Sequence, residues 1–486
     1  MTGRELAEAH RLIRAARTEF GPRSGCDAEL AACERRLGEP LRVALAGTLK
    51  SGKSTLLNAL IGDEIAPTDA TECTRVVTWF QQSATPRIQL TADGRPRLLP
   101  VLRTDGQLTL DLGVTADRVE KLEVFWPSSL LDDFTIIDTP GTSSNSRDVS
   151  ERTLALLAPE DGICEADAIV YLMRDLHDTD VQLLQHIQDQ MATGTGPLGV
   201  VGVLSRADEI DGGHGDPLAA AHRLSRDLAD APELQGLHQS FIPVSGLLAL
   251  RGQTLRQAEF TVLRTLAAVP RNDLEAALIS VTRFTAPTSN LPVTEVDRTR
   301  LVNSFGLFGI RLAVSMIHAG IADAPALAAA LLRRSGLDDL RRTLHSQFGQ
   351  RNEQLKAYSA MASLQRILAR HPASEGLSRQ VDRALADTHT FTELRLLSSI
   401  RATRLSDLDR DLATRVLGGK GISAHQRLGL PANAGPAQRR DAALRAIRDW
   451  RNRLDNPLLD PLTAATCRAV ARSCESIVED SRTAVR

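Results

Sequence analysis

From residue 3 to 36 the apolar positions fall three and four apart (ELAEAHRLIRAARTEF, then DAELAACERRL), the spacing of a buried helix face, with a break at Gly21-Pro22. At Leu41 the pattern changes to short apolar runs alternating with helical stretches. Strands are predicted at Leu41 to Ala46, Arg75 to Phe80, Arg87 to Leu90, Leu122 to Trp126, Phe134 to Asp138, Ala168 to Met173, Gly199 to Leu204 and Phe241 to Val244. Several are apolar throughout, as in strands covered on both faces, so the fold class is α/β: a mainly parallel sheet with helices on both sides. After Val244 the strand pattern stops. Helical periodicity runs through 254–284, 300–370, 377–415, 437–454 and 461–484, with breakers such as Pro287 to Pro292, His371-Pro372, Gly418 to Gly421 and Asn456-Pro457 between the segments. A helical start and an all-helical final third predict one bundle assembled from both chain ends.

Composition narrows the class. The chain has 486 residues, room for several domains, and a net charge of −2, which argues against a nucleic-acid partner. Aromatic residues make up 3%, so the core must be Leu, Ala, Val and Ile, and base stacking on an RNA-binding module is not expected. The six cysteines show no C-x-x-C spacing, which predicts free thiols in a reducing cytosol and no zinc site. The N-terminus carries Glu5 and Glu8 among basic residues and is not a signal peptide. The apolar region Leu301 to Leu332 is interrupted by Arg311, His318 and Asp323, so no transmembrane segment is expected and any membrane contact is peripheral. Residues 346 to 486 hold 23 Arg and Lys against 15 Asp and Glu. That excess is either a solvated helix face or a surface for anionic lipid, with Gly418 to Leu430 as the candidate tip.

The candidate chemistry begins at Gly47-Thr48-Leu49-Lys50-Ser51-Gly52-Lys53-Ser54, which fits G-x-x-x-x-G-K-[ST] between a predicted strand and a predicted helix starting near Thr55. In such a loop the backbone N–H groups cradle phosphates, Lys53 reaches the β/γ oxygens and the Ser54 hydroxyl ligates Mg²⁺. The chain has five lysines, and two of them, Lys50 and Lys53, lie here. In an Arg-rich chain that marks a need for a compact ammonium. Downstream, Phe134 to Gly141 ends a strand in D-x-x-G, placing Asp138 for the metal and Gly141 for the γ-phosphate. Val201 to Asp208 ends in Ser205-Arg206-Ala207-Asp208, where Asp208 would accept N1–H and N2–H of guanine and Arg206 would cover the base. Ser245-Gly246 is the expected last base-contacting loop, and Thr71, with Thr74 second, is the expected switch threonine.

These stretches carry a family resemblance. GTLKSGKSTLLNALIGDEIAPTDATECTRVVTWF, IIDTPGTSS and LSRADEI resemble the bacterial dynamin-like GTPases, most closely the isoniazid-inducible dynamin-like proteins of mycobacteria and their actinobacterial relatives, and there the shorter of the pair. The likeness extends to Phe305 to Arg311 and to Arg334-Ser335-Gly336-Leu337. It implies N-terminal neck helices over 1–38, a GTPase domain over 39–345 and a helical neck and trunk over 346–486. It also implies Mg²⁺-dependent hydrolysis of GTP to GDP, a nucleotide-dependent homodimer or a heterodimer with a paralogue, action on membranes from the cytoplasmic side and a place in the envelope stress response. The different-class alternative is a GTP-gated scaffold that scarcely hydrolyses. Site residues implied are Gly47, Lys50, Ser51, Gly52, Lys53, Ser54, Thr55, Ser205, Arg206, Asp208, Ser245 and Gly246 for nucleotide, Ser54, Thr71 and Asp138 for metal, and Lys53, Thr71, Lys50 and Gly141 for catalysis. Asp180 reads either as a contact to a partner's nucleotide or as part of an Asp-rich helix start. Position 142 is Thr, so no Gln follows D-T-P-G to position water, and Lys50 is the candidate for stabilising charge in its place.

Overall fold

A computed structural model of the chain describes residues 3–22, 25–66, 76–104, 106–141, 156–157, 164–192, 199–213, 215–231, 234, 241–371, 374–400 and 403–483. The strands are β1 (Leu41–Gly47), β2 (Thr78–Gln82), β3 (Arg87–Ala92), β4 (Arg95–Leu99), β5 (Leu102–Thr104), β6 (Gln107–Thr109), β7 (Val119–Trp126), β8 (Phe134–Asp138), β9 (Ala168–Met173), β10 (Gly199–Ser205) and β11 (Phe241–Val244). Nine of them form one sheet in the order β11-β10-β9-β1-β8-β2-β7-β3-β4, and β5 pairs with β6 apart from it. β1 lies between β8 and β9, parallel to both, with Leu45 opposite Asp138 and Gly47 opposite Leu172. β9 and β10 are buried along their whole length, as their unbroken apolar sequence requires. The chain crosses over β1 in passing from β8 to β9, and the crevice of such a sheet opens at the carboxyl ends of the strands where the order reverses. That edge carries the phosphate loop, the D-x-x-G turn, Ser205 to Asp208 and Ser245-Gly246.

Beyond β8 the sheet turns mixed: β2 is antiparallel to β8, β3 to β7 and β4 to β3. The apolar pattern missed β4, β5 and β6, which are short and exposed. Arg95, Pro96 and Arg97 on the outermost strand are polar or lack a donor, which blunts the open edge against pairing with another chain.

The N-terminal helices meet the first helices of the all-helical final third, not the last ones. Arg4–Phe20 and Asp27–Gly38 pack on Asn352–Arg370 and Glu375–Asp387, sharing Leu12, Ile13, Leu30, Tyr358 and Leu364 with the sheet's own core. Arg36, buried, ties them to the sheet by donating to the carbonyls of Cys164 (2.8 Å) and Glu165 (3.1 Å) and to Asp167 (2.8 Å). Asp167 in turn accepts the Arg42 N–H at 2.9 Å, so both buried charges are paired and bonded. Farther along, Asp407–Val416, Pro436–Leu454 and Pro461–Thr483 build a second core around Val416, Trp450, Val470 and Cys474.

The segment Gly418 to Leu430 is not a tip. Arg351 donates to the Leu417 carbonyl (2.7 Å), Ile422 N–H to Gln350 (3.0 Å) and Arg427 to both oxygens of Glu393 (2.6 and 2.9 Å). The segment is therefore pinned against Gln350, Arg351 and Glu393; just before them in the chain Phe348 fills the space left by Gly199 of β10, where a Cβ would stand 2.6 Å from its ring. Burial alone would raise Glu393, but bonds from His389, Arg427 and Ser473 outweigh it and hold the carboxyl at about 2. Among the described residues one helix, Glu295–His318, is long and apolar enough by length and composition to cross a membrane. It breaks at Gly306 and packs Leu301, Phe305, Ile310 and Ala313 into a core with Phe260, Leu263 and Leu327.

Candidate functional site

β1 ends on Gly47 at φ 149°, where a Cβ would stand 2.2 Å from the Leu172 carbonyl oxygen of β9; no side chain is tolerated there. The loop turns back through Lys50 (φ 62°) and Gly52 (φ 91°) into the helix Lys53–Ile61. Leu49 and Lys50 are exposed on its outer side. Lys53 is buried and donates to the carbonyls of Gly47 (2.9 Å) and Thr48 (3.0 Å), while Ser51 is buried with its hydroxyl unpartnered. Ser54 and Thr55 occupy the first helical turn, half-buried.

The second motif is fastened to the first. Thr139 bonds the Leu45 carbonyl through both its N–H (3.2 Å) and its hydroxyl (2.8 Å), which folds the chain over β1. Gly141 then lies against the loop so closely that a Cβ would meet Leu49 Cα at 2.8 Å and Lys53 Nζ at 3.1 Å. Only glycine fits. Asp138 is half-buried nearby, with its Oδ1 enclosed and unpartnered. Burial pushes its carboxyl up to about 6 despite the opposing charge of Lys53, and burial pushes the Lys53 ammonium down to about 8 despite Asp138. Each charge lacks the solvation it would have in water. An anionic phosphate chain and a hard cation would supply what the two lack, and the orphaned Asp138 and Ser51 oxygens fit such a pair. A pH dependence follows. Lys53 loses its charge as pH rises through about 8, and Asp138 loses its charge as pH falls through about 6. The KM for GTP is expected to be lowest between those values and to climb on either side, measured in a constant-ionic-strength buffer series.

Beside the loop opens a cleft of about 520 Å³ including its mouth, lined by Gly52, Thr55, Ser205, Arg206, Asp208 and Gly246 among others. Thus Gly52 and Thr55, Ser205, Arg206 and Asp208, and Gly246, far apart in sequence, share one hollow. Ser205 donates to the Met173 carbonyl (3.1 Å) and fixes the end of β10 to β9. Arg206 is held in a left-handed conformation (φ 52°) with its guanidinium on both oxygens of Glu209 at 3.0 and 3.2 Å. Asp208 is buried; desolvation raises its pKa against a hydrogen bond from Ser245. Ser245 also accepts the Leu248 N–H (3.3 Å), capping the helix Gly246–Thr254, and donates its own N–H to the Ser335 carbonyl (2.8 Å). The close approach at Ser335-Gly336 explains that motif: a Cβ on Gly336 would lie 2.1 Å from the Pro243 carbonyl oxygen.

Other supporting residues escaped the sequence reading. Asn58, buried, accepts N–H bonds from Ile65 (2.9 Å) and Ala66 (2.7 Å) and so fixes the chain entering 67–75. Arg341, from the helix Leu337–Gln347, donates to the Ala59 and Leu60 carbonyls (3.3 and 3.1 Å) and to Gln253 (3.0 Å), closing the end of the phosphate-loop helix. Glu209 had a readable signal, an acid three residues after Arg206; Asn58 and Arg341 had none. Thr71 and Thr74 lie outside the described residues. Of the two readings of Asp180 the structure bears out the helix start: it lies in the first turn of Asp178–Ala192, fully buried, and accepts the Tyr171 hydroxyl of β9 at 2.5 Å.

A phosphate loop, a D-x-x-G turn and a separate base cleft on one sheet edge define a guanine-nucleotide-binding α/β domain, and residues 43–206 match the dynamin family model. The chain belongs to the bacterial dynamin-like GTPases and is a GTPase. It is 47% identical over 452 residues to the isoniazid-induced protein IniC of Mycobacterium tuberculosis, spanning 92% of this chain and 91% of that one. The isoniazid-induced protein IniA of the same organism is 34% identical over 144 residues, 28% of this chain and 22% of its own. Dynamin-like protein 2 of Campylobacter jejuni is 26% identical over 112 residues, 23% of this chain and 18% of its own.

Proposed function

We propose that this chain couples Mg²⁺-dependent GTP hydrolysis to self-association across the nucleotide face and to contact with an anionic membrane. The observation that supports the catalytic reading is the convergence of Lys53, Asp138 and Gly141 beside the base cleft. Lys53 binds the β/γ oxygens, the Gly141 N–H meets the γ-phosphate, Asp208 selects guanine and Arg206 covers it. Gly47, Ser51, Gly52, Thr55, Ser205, Ser245 and Gly246 shape the walls. Ser54 and Asp138, with Thr71 closing over them, would hold Mg²⁺, which when bound neutralises the charge spread over the phosphates. Lys50, exposed beside the loop, adds a cation at the open side of the site, and the neighbouring Leu49, 56% exposed, gives that side an apolar contact for a second copy or a paralogue.

The membrane reading rests on the far end of the trunk. Leu458 is 83% exposed and Leu408 is 72% exposed. One end of the fold holds both, because Arg453 pairs with Asp409 (2.6 Å) and the Arg404 N–H donates to Thr463 (2.9 Å). Arg440, Arg445 and Arg448 stand exposed along the adjoining helix Pro436–Leu454. Two exposed apolar side chains suit the headgroup layer of a bilayer, with the arginines farther along the helix adding attraction for anionic lipid, which would keep the chain peripheral at the inner face of the plasma membrane. The division at 1–38, 39–345 and 346–486, and a role in the response to cell-wall inhibitors, belong to the same proposal.

Phosphate release measured over a hundredfold range of protein concentration, with and without anionic vesicles, tests it. The rate per molecule is expected to rise with concentration and again with vesicles, and Leu408→Asp with Leu458→Asp is expected to abolish sedimentation with vesicles while leaving turnover in solution within about twofold. A rate per molecule that is flat in concentration would favour a GTP-gated scaffold.

A further inference from the structure

The run Phe305-Gly306-Leu307-Phe308-Gly309 takes no part in phosphate chemistry, yet the fold brings it to the base cleft. Inside the helix Glu295–His318, Gly306 stands at φ 64° and ψ 170°, a conformation essentially closed to residues with a side chain. The helix bends there, giving up part of its hydrogen-bond ladder. A Cβ on Gly306 would lie 3.8 Å from Leu247 Cδ1 and 3.9 Å from Asp208 Oδ2, and Leu247 itself lines the cleft. One turn on, a Cβ on Gly309 would lie 3.2 Å from Leu248 Cδ2, and Leu248 is the residue whose N–H is capped by Ser245. The two glycines act differently. Gly309 lets the helix close on the capped turn, and Gly306 sets the bend that seats it against Asp208.

We propose that the Gly306 kink is a specificity-determining element of the base site: it packs the helix against Leu247 and the Asp208 carboxylate and so holds both carboxylate oxygens toward N1–H and N2–H of guanine. This rests on the reading of Asp208 as the guanine acceptor. The phosphates bind elsewhere, at the loop. A straightened helix therefore loosens base discrimination and leaves the chemistry at the γ-phosphate in place, which makes Gly306 a positioning residue acting through Asp208.

The test compares GTP with inosine triphosphate, which lacks the 2-amino group, on the full chain and on Gly306→Ala, Leu247→Ala and Asp208→Ala. For Gly306→Ala the KM for GTP is expected to rise about tenfold with kcat within about twofold, and the inosine-to-guanosine KM ratio to fall toward one, since the bond to N2–H is the one lost. Leu247→Ala leaves the backbone free to keep its bend and is expected to shift the ratio the same way by about threefold. An unchanged ratio in both variants overturns the proposal, as does an equal loss of both nucleotides accompanied by a lower melting temperature. If Asp208→Ala leaves the ratio unchanged, the guanine reading itself fails. If Asp208→Ala collapses the ratio and neither of the other variants moves it, only the role of the kink falls.

Discussion

Lys53→Ala is expected to lower kcat for GTP by about 10³-fold or more, the loss seen when a preorganised charge is removed from a developing anion. The Lys53 ammonium is buried and anchored by the carbonyls of Gly47 and Thr48, so it needs little reorganisation when phosphate arrives. Its neighbours explain why no other residue replaces it. Gly141 lies so close to Nζ that no side chain can enter there, and the strand beneath is apolar. The same substitution leaves the partly desolvated Asp138 without the opposing charge of Lys53, which pushes that carboxyl further above about 6 and weakens its hold on a cation. Binding and turnover should both suffer. The measurement is single-turnover phosphate release beside equilibrium binding of a fluorescent guanine nucleotide. Turnover retained within about tenfold of the parent would remove Lys53 from the chemistry.

Asp208→Asn is expected to exchange guanine for xanthine, with GTP selectivity over xanthosine triphosphate falling by about 10³-fold. A carboxylate accepts two N–H bonds from guanine, whereas an amide accepts one and donates one, the pattern xanthine presents at N1–H and its 2-oxo group. The two side chains have nearly the same shape, so the bond from Ser245 and the packing of the cleft are expected to persist. Removing a buried charge that desolvation already disfavours should not cost stability. Competition between the two triphosphates for a labelled nucleotide reads the change directly. Unchanged GTP affinity together with no gain for xanthosine triphosphate would mean that the base is held elsewhere.

The sequence carried the phosphate loop because its requirements are local. A backbone at φ 149° with a carbonyl where Cβ would stand admits only Gly47, and Gly141 is forced by the same kind of close approach. The parallel strands were legible for a similar reason: β9 and β10 are covered on both faces, and unbroken apolar runs record that. Arg95–Leu99 was not legible, because an exposed edge strand with Pro96 has no alternation to read. Asp180 stood open in the string between a partner contact and an Asp-rich helix start; the fold places it in the helix start, turned toward Tyr171.

The same division runs through the whole molecule. The order of residues determined the nucleotide motifs, the strand and helix alternation and the apolar faces that let the N-terminal helices pack on Asn352–Arg370 and Glu375–Asp387. Only the tertiary structure decided that Gly418 to Leu430 is locked against Gln350 and Glu393 and that Arg453 pairs with Asp409. It alone placed the Gly306 bend on Asp208 and closed the phosphate-loop helix with Arg341. The physical reason is range. Glycine conformations, charge types and apolar periodicity are fixed by neighbours a few residues away, whereas what a glycine-rich turn or an arginine touches depends on which surface, hundreds of residues distant, the core packing brings against it.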